Sequence, residues 1–359
     1  MKKIDWYILR RFLSTFLFAI LLFVIIAVVI DITEKLDDFV NNSLTFREIV
    51  LGYYVAFVPY ITAMLFPLFT FLAVIYFTSK MAYQSEIIAI IGSGVSFNRY
   101  MRPYWVGGIL LCLVLMAGNR SFIPWANRVR LLFEDTYVNN RTPTGPVSNI
   151  HLRIDPKTYV SIMSYDPTYR AGYDFILSRM KGQQLVYKFE AESVVWDTAR
   201  KGWVTRHAAV HVINGLHEAI WLVHDTILKI PMLPSDLKPQ QDAMEGMSTP
   251  VLNAHIAQQK LRGVQGINAL YVEKYKRIAA PVAVVILTMI GAVIACRRIR
   301  GGSGLHIALG IAISSAYIVC MQFSYTFSTK GSLNPFIAVW LPNLIFGLIA
   351  WRLYVRAPK

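Results

Sequence analysis

Six long apolar stretches, divided three and three by a mostly polar segment of about 160 residues, constrain the fold of this chain more than any other feature. A helix needs about 20 apolar residues to cross the roughly 30 Å hydrocarbon core of a bilayer. Five stretches reach that length, and the third reaches it only if neighbouring residues extend its helix. The chain is therefore predicted to be an integral membrane protein that also carries a water-exposed domain. The stretches are Phe12–Ile30, Val50–Thr78, Pro103–Gly118, Ile278–Cys296, Leu305–Phe327 and Phe336–Tyr354.

The distribution of basic residues predicts how these helices are oriented. With 55% apolar residues the chain is not a single soluble globule, and its formal net charge of +15 has to be read by position. The cations collect beside helix ends that six crossings place on one side, which is the pattern of cytoplasmic loops. Both termini and these loops are therefore expected in the cytoplasm, and nucleic-acid binding gains no support. The thirteen cations are Lys2, Lys3, Arg10, Arg11, Lys80, Arg99, Arg102, Arg297, Arg298, Arg300, Arg352, Arg356 and Lys359.

The first apolar stretch is expected to be a membrane anchor and not a cleaved signal peptide. Basic residues precede it, and no small-x-small cleavage site follows Ile30. The three cysteines, Cys112, Cys296 and Cys320, all lie in apolar stretches. No disulfide framework is therefore expected in the outer segment, and the cysteines are interpreted as small packing residues.

The segment between the third and fourth stretches carries the signals of an antiparallel β domain. Short runs such as Tyr173–Leu177 and Leu185–Phe189 alternate or are rich in β-formers, and Asp197–Gly202 has the composition of a hairpin turn. Several short strands at close spacing predict a sandwich or jelly roll of about 100 residues. The edge strands of such a sheet can accept a strand of another protein.

Helices are predicted on both sides of this β domain. An amphipathic pattern runs from Pro124 to Tyr137, and Thr249 with Pro250 has the composition of a helix start. A further helix is expected to begin near Gly266 and to continue unbroken into the fourth span. We therefore predict three parts: residues 1–118 with spans one to three, 119–265 with the β domain and its flanking helices, and 266–359 with spans four to six.

Motifs of catalysis are missing from the sequence. The Gly301–Gly304 run lacks the Lys-Ser/Thr of a nucleotide-binding loop, and no HExxH zinc motif occurs. His207 and His211 are four residues apart, but they lie in a predicted strand without a nearby cysteine or carboxylate in sequence. No catalytic residue, metal or cofactor is therefore assigned, which favours transport or scaffolding over catalysis.

The loop between spans two and three, residues 80–96, is the most specific piece of the chain. Ser85–Ile91 is predicted to form a short amphipathic helix that Gly92 and Gly94 end. Glu86 is expected as an exposed carboxylate near its start, where the helix dipole favours negative charge. Two interpretations stay open: the helix docks into a cytoplasmic partner and carries its movement, or it is a plain interfacial helix.

This loop resembles the coupling helix of the LptF/LptG family, the membrane permeases of lipopolysaccharide export. The resemblance rests on Ser85-Glu86-Ile87-Ile88-Ala89 followed by Gly94-Val95-Ser96. Further resemblances follow in the family's order and cover nearly the whole chain. They are Ile4–Ile8, the set Ala191, Trp196 and Trp203, the run Glu273–Pro281, the turn Arg300–Gly304 and the run Trp340–Asn343. The opening segment and the Trp-x-Pro-Asn ending are more similar to LptG than to LptF.

The resemblance implies a bundle of six transmembrane helices with a periplasmic, all-β, jelly-roll-like domain between helices 3 and 4. It implies a subunit of an ABC-type exporter in the bacterial inner membrane that extracts lipopolysaccharide and passes it to a periplasmic bridge protein. The implied partners are a homologous six-span permease in a heterodimer, a single-span periplasmic protein and a cytoplasmic ATPase dimer that binds the ATP. Residues implied in ATPase coupling are Ser85, Glu86, Ile87, Ala89, Gly92 and Gly94.

Cations near the outer membrane surface are candidates for binding lipid headgroup phosphates, although ordinary interfacial anchoring explains them equally well. The family often has a basic residue near the outer end of the first span, where this chain has Asp31 and, one turn later, Lys35. The candidates are Lys35, Arg120, Arg128, Arg130, Lys274, Lys276 and Arg277.

Two alternatives to lipopolysaccharide export remain at this point. One is a permease for lipoproteins or another lipid. The other is a membrane-embedded lipid-modifying enzyme, which needs a polar cluster within the spans. Gln322, Ser324, Tyr325 and Thr326 come nearest to such a cluster.

Overall fold

The computed structural model describes residues 3–138, 147–155, 157–182, 184–215, 217–224, 226–237, 244–262, 267–297 and 303–357. The chain divides into two compact units. The first unit comprises Met1–Arg130, Gly246–Thr249 and Asn268–Lys359, and the second comprises Leu131–Glu245 and Pro250–Ile267.

Within the described residues, six helices are long and apolar enough to cross a membrane, as the sequence predicts. The third becomes long enough because a short helix precedes it, so that the segment Phe97–Arg120 has 24 residues. In chain order the helices are α1 (Lys3–Asn41), α2 (Phe46–Ile49), a π-helical turn (Val50–Tyr54), α3 (Val55–Tyr83), α4 (Glu86–Gly92), α5 (Phe97–Tyr100), α6 (Arg102–Arg120), α7 (Phe122–Tyr137), α8 (Thr249–Arg262), α9 (Ile267–Ala295), α10 (Ser303–Thr329) and α11 (Pro335–Val355).

Helix α9 forms the centre of the first unit, and α1 is its least packed helix. In the most apolar part of α9, 67% of the residues are buried, against 6% in α1. Glycines allow the close helix contacts: a Cβ at Gly107 in α6 would lie 2.6 Å from the Phe12 ring of α1, and one at Gly291 in α9 would lie 2.9 Å from the Phe71 ring of α3. Small residues permit such close backbone approach in membrane bundles.

The second unit contains the predicted antiparallel β domain. Each strand pairs with the next along the chain in the order β1 to β6, and β7 pairs with β5. The strands are β1 (Val147–Asp155), β2 (Thr158–Asp166), β3 (Ala171–Lys181), β4 (Gln184–Asp197), β5 (Gly202–Asn214), β6 (His217–Val223) and β7 (Ile227–Leu228). The predicted turn at Asp197–Gly202 joins β4 to β5, and Asp197 Oδ1 accepts the backbone N–H of Ala199 at 2.8 Å.

The core of the β domain is built around Trp203. Its side chain is fully buried and packs against the rings of Tyr165 and Trp196. Its indole Nε1–H donates to the carbonyl oxygen of Met232 at 2.8 Å. The buried polar end of this large side chain is thus satisfied, as burial requires.

The predicted flanking helices are present as α7 and α8, and α9 runs unbroken from Ile267 into the bundle. Helix α8 begins at Thr249, one residue before the predicted first position, which is within the usual uncertainty of a helix end. The Thr249 hydroxyl donates to the carbonyl oxygen of Asn119 at 3.5 Å. Gly266, near which α9 is predicted to begin, lies outside the described residues.

Candidate functional site

The predicted coupling helix is α4, and its two ends are fixed by unusual backbone angles. Ser85, directly before α4, has the left-handed φ of 60°, which turns the chain sharply after α3. Gly94, two residues after α4, has φ +85°, which an L side chain rarely adopts. The sequence therefore predicted this helix correctly to within one residue at each end.

One face of α4 is buried and the other is open. Ile87 is buried in the same apolar cluster as Ile8 and Phe12 of α1. Ile88 is 57% exposed, and Ala89 and Gly92 are exposed as well. Ile90 and Ile91 are partly buried and pack against the same cluster, so one face of the helix is attached to the bundle, while Ile88 and Ala89 on the other face are exposed among the described residues.

Glu86 is not the exposed carboxylate that the sequence suggests. Its side chain is only 30% exposed and forms an ion pair with Arg11, whose Nη1 lies 3.3 Å from Oε1. The Tyr7 hydroxyl donates to Oε2 at 3.1 Å, and the Arg11 guanidinium lies 5.0 Å above the Tyr7 ring. Both partners come from α1, more than 70 residues away in sequence, so no local pattern indicates them.

The segment after α4 contacts the end of α11. The Tyr354 hydroxyl donates to Asn98 Oδ1 at 2.9 Å, and the rings of Phe97 and Tyr354 lie 6.0 Å apart. The loop between spans two and three therefore contacts both α1 and the end of α11.

Lys35, the first headgroup candidate, is occupied by a carboxylate of its own helix. Its Nζ lies 2.7 Å from Oδ1 of the buried Asp31. Tyr53 donates to Asp31 Oδ1 at 3.1 Å and Tyr54 donates to Oδ2 at 3.0 Å. Both tyrosines belong to the π-helical turn before α3, a type of turn that often occurs at functional sites. Asp31 therefore joins α1 to the start of the second span.

Replacing Asp31 by asparagine is expected to destabilise this junction by about 2 kcal/mol, because it removes the negative charge that lies 2.7 Å from the mostly buried Lys35 ammonium. The expected result is a lower thermal unfolding midpoint in detergent. Asp37→Asn removes the same charge from an exposed position of α1 and serves as the control. Equal midpoints for the two variants would contradict this role of Asp31.

The other headgroup candidates fall into an engaged group and an available group. Arg277 is only 7% exposed and donates to Glu273 Oε1 at 3.0 Å and to Thr249 Oγ1 at 3.2 Å. It thereby joins α9 to Thr249, the first residue of α8. Arg130 donates to Asn127 and lies over the Tyr60 ring, and Lys276 lies 3.9 Å from Glu273. Arg120 and Arg128 are exposed, and Lys274 is half-buried.

The polar groups within the fifth and sixth spans join helices. Tyr317 of α10 donates to Asn343 Oδ1 of α11 at 2.8 Å, and Asn343 Nδ2 donates to the carbonyl oxygen of Ala279 in α9 at 2.8 Å. Ser324 donates to the carbonyl oxygen of Ala338. These contacts account for Asn343 of the Trp-x-Pro-Asn run as the residue that connects three helices.

The two histidines of β5 pair with carboxylates from neighbouring strands. His211 Nδ1 lies 2.7 Å from Glu218 and its Nε2 lies 3.5 Å from Glu190, while His207 lies 3.0 Å from Glu192. The two carboxylates of His211 contact opposite ring nitrogens, so they do not form a shared ligand set. Within the described residues, no group of three or more His, Cys, Asp and Glu side chains is placed to hold a metal ion.

These features define a multi-pass membrane protein with an antiparallel β domain inserted between its third and fourth spans. The sequence model of the lipopolysaccharide export system permease LptF/LptG matches residues 6–356. The chain therefore belongs to the LptF/LptG family of membrane permeases for lipopolysaccharide export. The family predicted from the motifs is confirmed, and the preference for LptG over LptF stays a prediction. The comparison with individual curated proteins gives no match.

Proposed function

We propose that this chain is the permease subunit of an ABC-type exporter that extracts lipopolysaccharide from the inner membrane and passes it to a periplasmic bridge protein. The proposal rests on the family match over residues 6–356 together with the presence of the short helix α4 at the position of the predicted coupling helix. This helix offers Ile88, Ala89 and a half-buried Glu86 on a short, sharply bounded element. We assign the energy supply to a cytoplasmic ATPase dimer that contacts this helix and binds the ATP.

The cost of removing a lipid from the bilayer explains why a permease is needed. At about 0.8 kcal/mol per CH₂, exposing ~60 methylenes to water costs roughly 50 kcal/mol. Apolar walls have to replace the bilayer around the acyl chains. The outward faces of α1 and α10 are apolar and little packed within this chain, with Phe18, Leu21 and Phe323 among their exposed side chains. We assign these faces to the lipid cavity and to a homologous six-span permease that closes it.

The thirteen basic residues at one set of helix ends support the orientation that we propose for the chain in the membrane. In this proposal both termini and α4 are cytoplasmic, and the β domain is periplasmic. The exposed Arg120 and Arg128 are then the most accessible cations for lipid phosphates at the outer surface. Lys35 can bind a phosphate only when the phosphate replaces Asp31 as its counter-ion. Arg277 has a structural role in this proposal, because it already contacts Glu273 and Thr249.

Strand β6, which lies at one end of the strand order, supports an interaction with a periplasmic partner. Among the described residues, β6 pairs with β5 and with no other strand, and the residues of β6 are exposed or half-buried. Its apolar side chains Ile220, Trp221 and Leu222 are exposed, and Leu222 reaches 82% exposure. An exposed apolar edge is the usual acceptor for an added strand. We assign this edge to the bridge protein or to the single-span partner.

A photo-crosslinker at Leu222 is expected to trap a periplasmic protein in intact cells, because no described strand pairs with the outer edge of β6. The matched control is a crosslinker at Tyr173, which is also exposed but lies on β3, between two paired strands. Adducts are identified by mass spectrometry. A crosslinker at Leu222 that traps no periplasmic protein, or no more than the one at Tyr173, would contradict the assignment of this edge.

The proposed function is tested by purifying the tagged chain from its native membrane in mild detergent. We expect a nucleotide-binding subunit and a homologous six-span permease to come with it. Purification without either would overturn the proposal. Replacing lipopolysaccharide by a lipoprotein in a reconstituted release assay separates the alternative substrates, and lipid turnover without any ATPase would indicate a lipid-modifying enzyme.

A further inference from the structure

Helix α1 is anchored at both ends and loosely packed between them. Near its start, Ile8, Phe12 and Phe16 are buried in the largest apolar cluster of the bundle. From Leu17 to Ile30 no side chain is fully buried. Burial resumes at Asp31, which the two tyrosines of the π-helical turn hold in place. A long helix that is fixed at its ends and little packed in its middle transmits a displacement with little resistance from its neighbours.

Near its N-terminal end, α1 is anchored by α4, the proposed coupling helix. Tyr7 and Arg11 are one turn apart on α1, and each donates to a different oxygen of the same carboxylate, Glu86 of α4. The next residues of the two helices, Ile8 on α1 and Ile87 on α4, share one apolar cluster. A charged contact and an apolar contact therefore tie α4 to α1 side by side.

We propose that Arg11 is a positioning residue that makes α1 move together with α4 during the transport cycle. The inference deepens the proposed function and rests on it, since it names the helix that receives the ATPase movement. Helix α3 is connected to α4 by the chain, but it is packed more extensively, with 33% of its apolar segment buried against 6% for α1. Through Glu86, the coupling helix contacts α1 directly, and α1 is the least buried of the six spans. The other end of α1 carries Asp31 and Lys35.

Distances between spin labels test this movement in the assembled exporter. Exposed residues are replaced by cysteine for labelling: Ile4 on α1, Ser93 directly after α4 and Leu305 on α10, with Cys112, Cys296 and Cys320 replaced by alanine. On trapping the ATP-bound state, we expect the Ile4–Ser93 distance to stay constant while the Ile4–Leu305 distance changes. A change in the Ile4–Ser93 distance in the otherwise unaltered exporter would overturn the inference.

Variants of Arg11 separate this role from general stability. In Arg11→Gln the Ile4–Ser93 distance is expected to change with nucleotide, and the lipid released per ATP to fall by up to about fivefold, the effect of losing one half-exposed ion pair. Arg11→Lys should restore both readouts because it restores the charge. Arg10→Gln, one residue away and exposed, is the matched control and should leave both unchanged.

The outcomes distinguish the inference from the proposed function. If Arg11→Gln leaves both readouts as they are in the unaltered exporter, the inference is wrong while the proposed function stands. If no ATPase assembles with the chain, or ATP changes none of the distances, the proposed function fails and the inference fails with it.

Discussion

The variant Glu86→Lys is expected to fold and insert in the membrane but to lose ATP-driven lipid release. The new ammonium group would face the Arg11 guanidinium, which lies 3.3 Å from the present carboxylate. It would also present the wrong charge to a partner that binds α4. Like charges placed against each other cost several kcal/mol, so release is expected to fall on the order of tenfold or more. Release from proteoliposomes with the complete exporter measures this directly.

Two further variants make the result specific to Glu86. Glu86→Gln keeps the shape and one acceptor oxygen, and we expect an intermediate loss. Asp37→Lys introduces the same change of charge at an exposed position of α1, far along the helix from α4, and should retain release. Unchanged transport by Glu86→Lys would count against the role of α4 in coupling.

The variant Trp203→Ala is expected to cause the largest loss of stability in the β domain. The side chain is fully buried between Tyr165 and Trp196 and donates to the Met232 carbonyl oxygen at 2.8 Å. Removing a buried tryptophan costs about 3–5 kcal/mol, because the cavity is only partly filled by its neighbours. The midpoint of urea unfolding of the β domain, followed by circular dichroism in detergent, measures the loss.

The control for Trp203→Ala is Trp221→Ala, since Trp221 is 53% exposed on β6 and leaves no cavity when it is truncated. Trp203→Phe fills most of the space but removes the indole donor, so we expect a smaller loss of about 1–3 kcal/mol. Equal midpoints for Trp203→Ala and Trp221→Ala would show that Trp203 is not the centre of this core.

The architecture was predictable because its signals are local. Each membrane span is encoded in the length of one apolar run, and the β4–β5 turn in the composition of Asp197–Gly202. The sequence underestimated strand length: the predicted run Leu185–Phe189 covers only part of β4, which extends from Gln184 to Asp197. The run ends before Glu190 and Glu192, whose charged side chains interrupt the apolar pattern. The strand continues through them because both point to the polar face of the sheet.

The contacts of the candidate site were harder to predict, and for two different reasons. The Glu86 contacts join residues 75 and 79 positions apart, which only the packing of α1 against α4 brings together. The Asp31–Lys35 and Glu273–Arg277 pairs are different, because both have the i,i+4 spacing of helical ion pairs. That spacing was a usable sign that Lys35 and Arg277 already have counter-ions.

Reconstitution in proteoliposomes tests whether this chain is a lipid conduit that is driven by ATP hydrolysis in another subunit. Proteoliposomes are prepared with this chain, its partner permease and labelled lipopolysaccharide, with and without the ATPase, and transfer to a soluble periplasmic acceptor is measured. We expect transfer only when the ATPase and hydrolysable ATP are both present. Transfer without the ATPase, or sustained ATP hydrolysis by the complete assembly without transfer, would contradict this role of the chain.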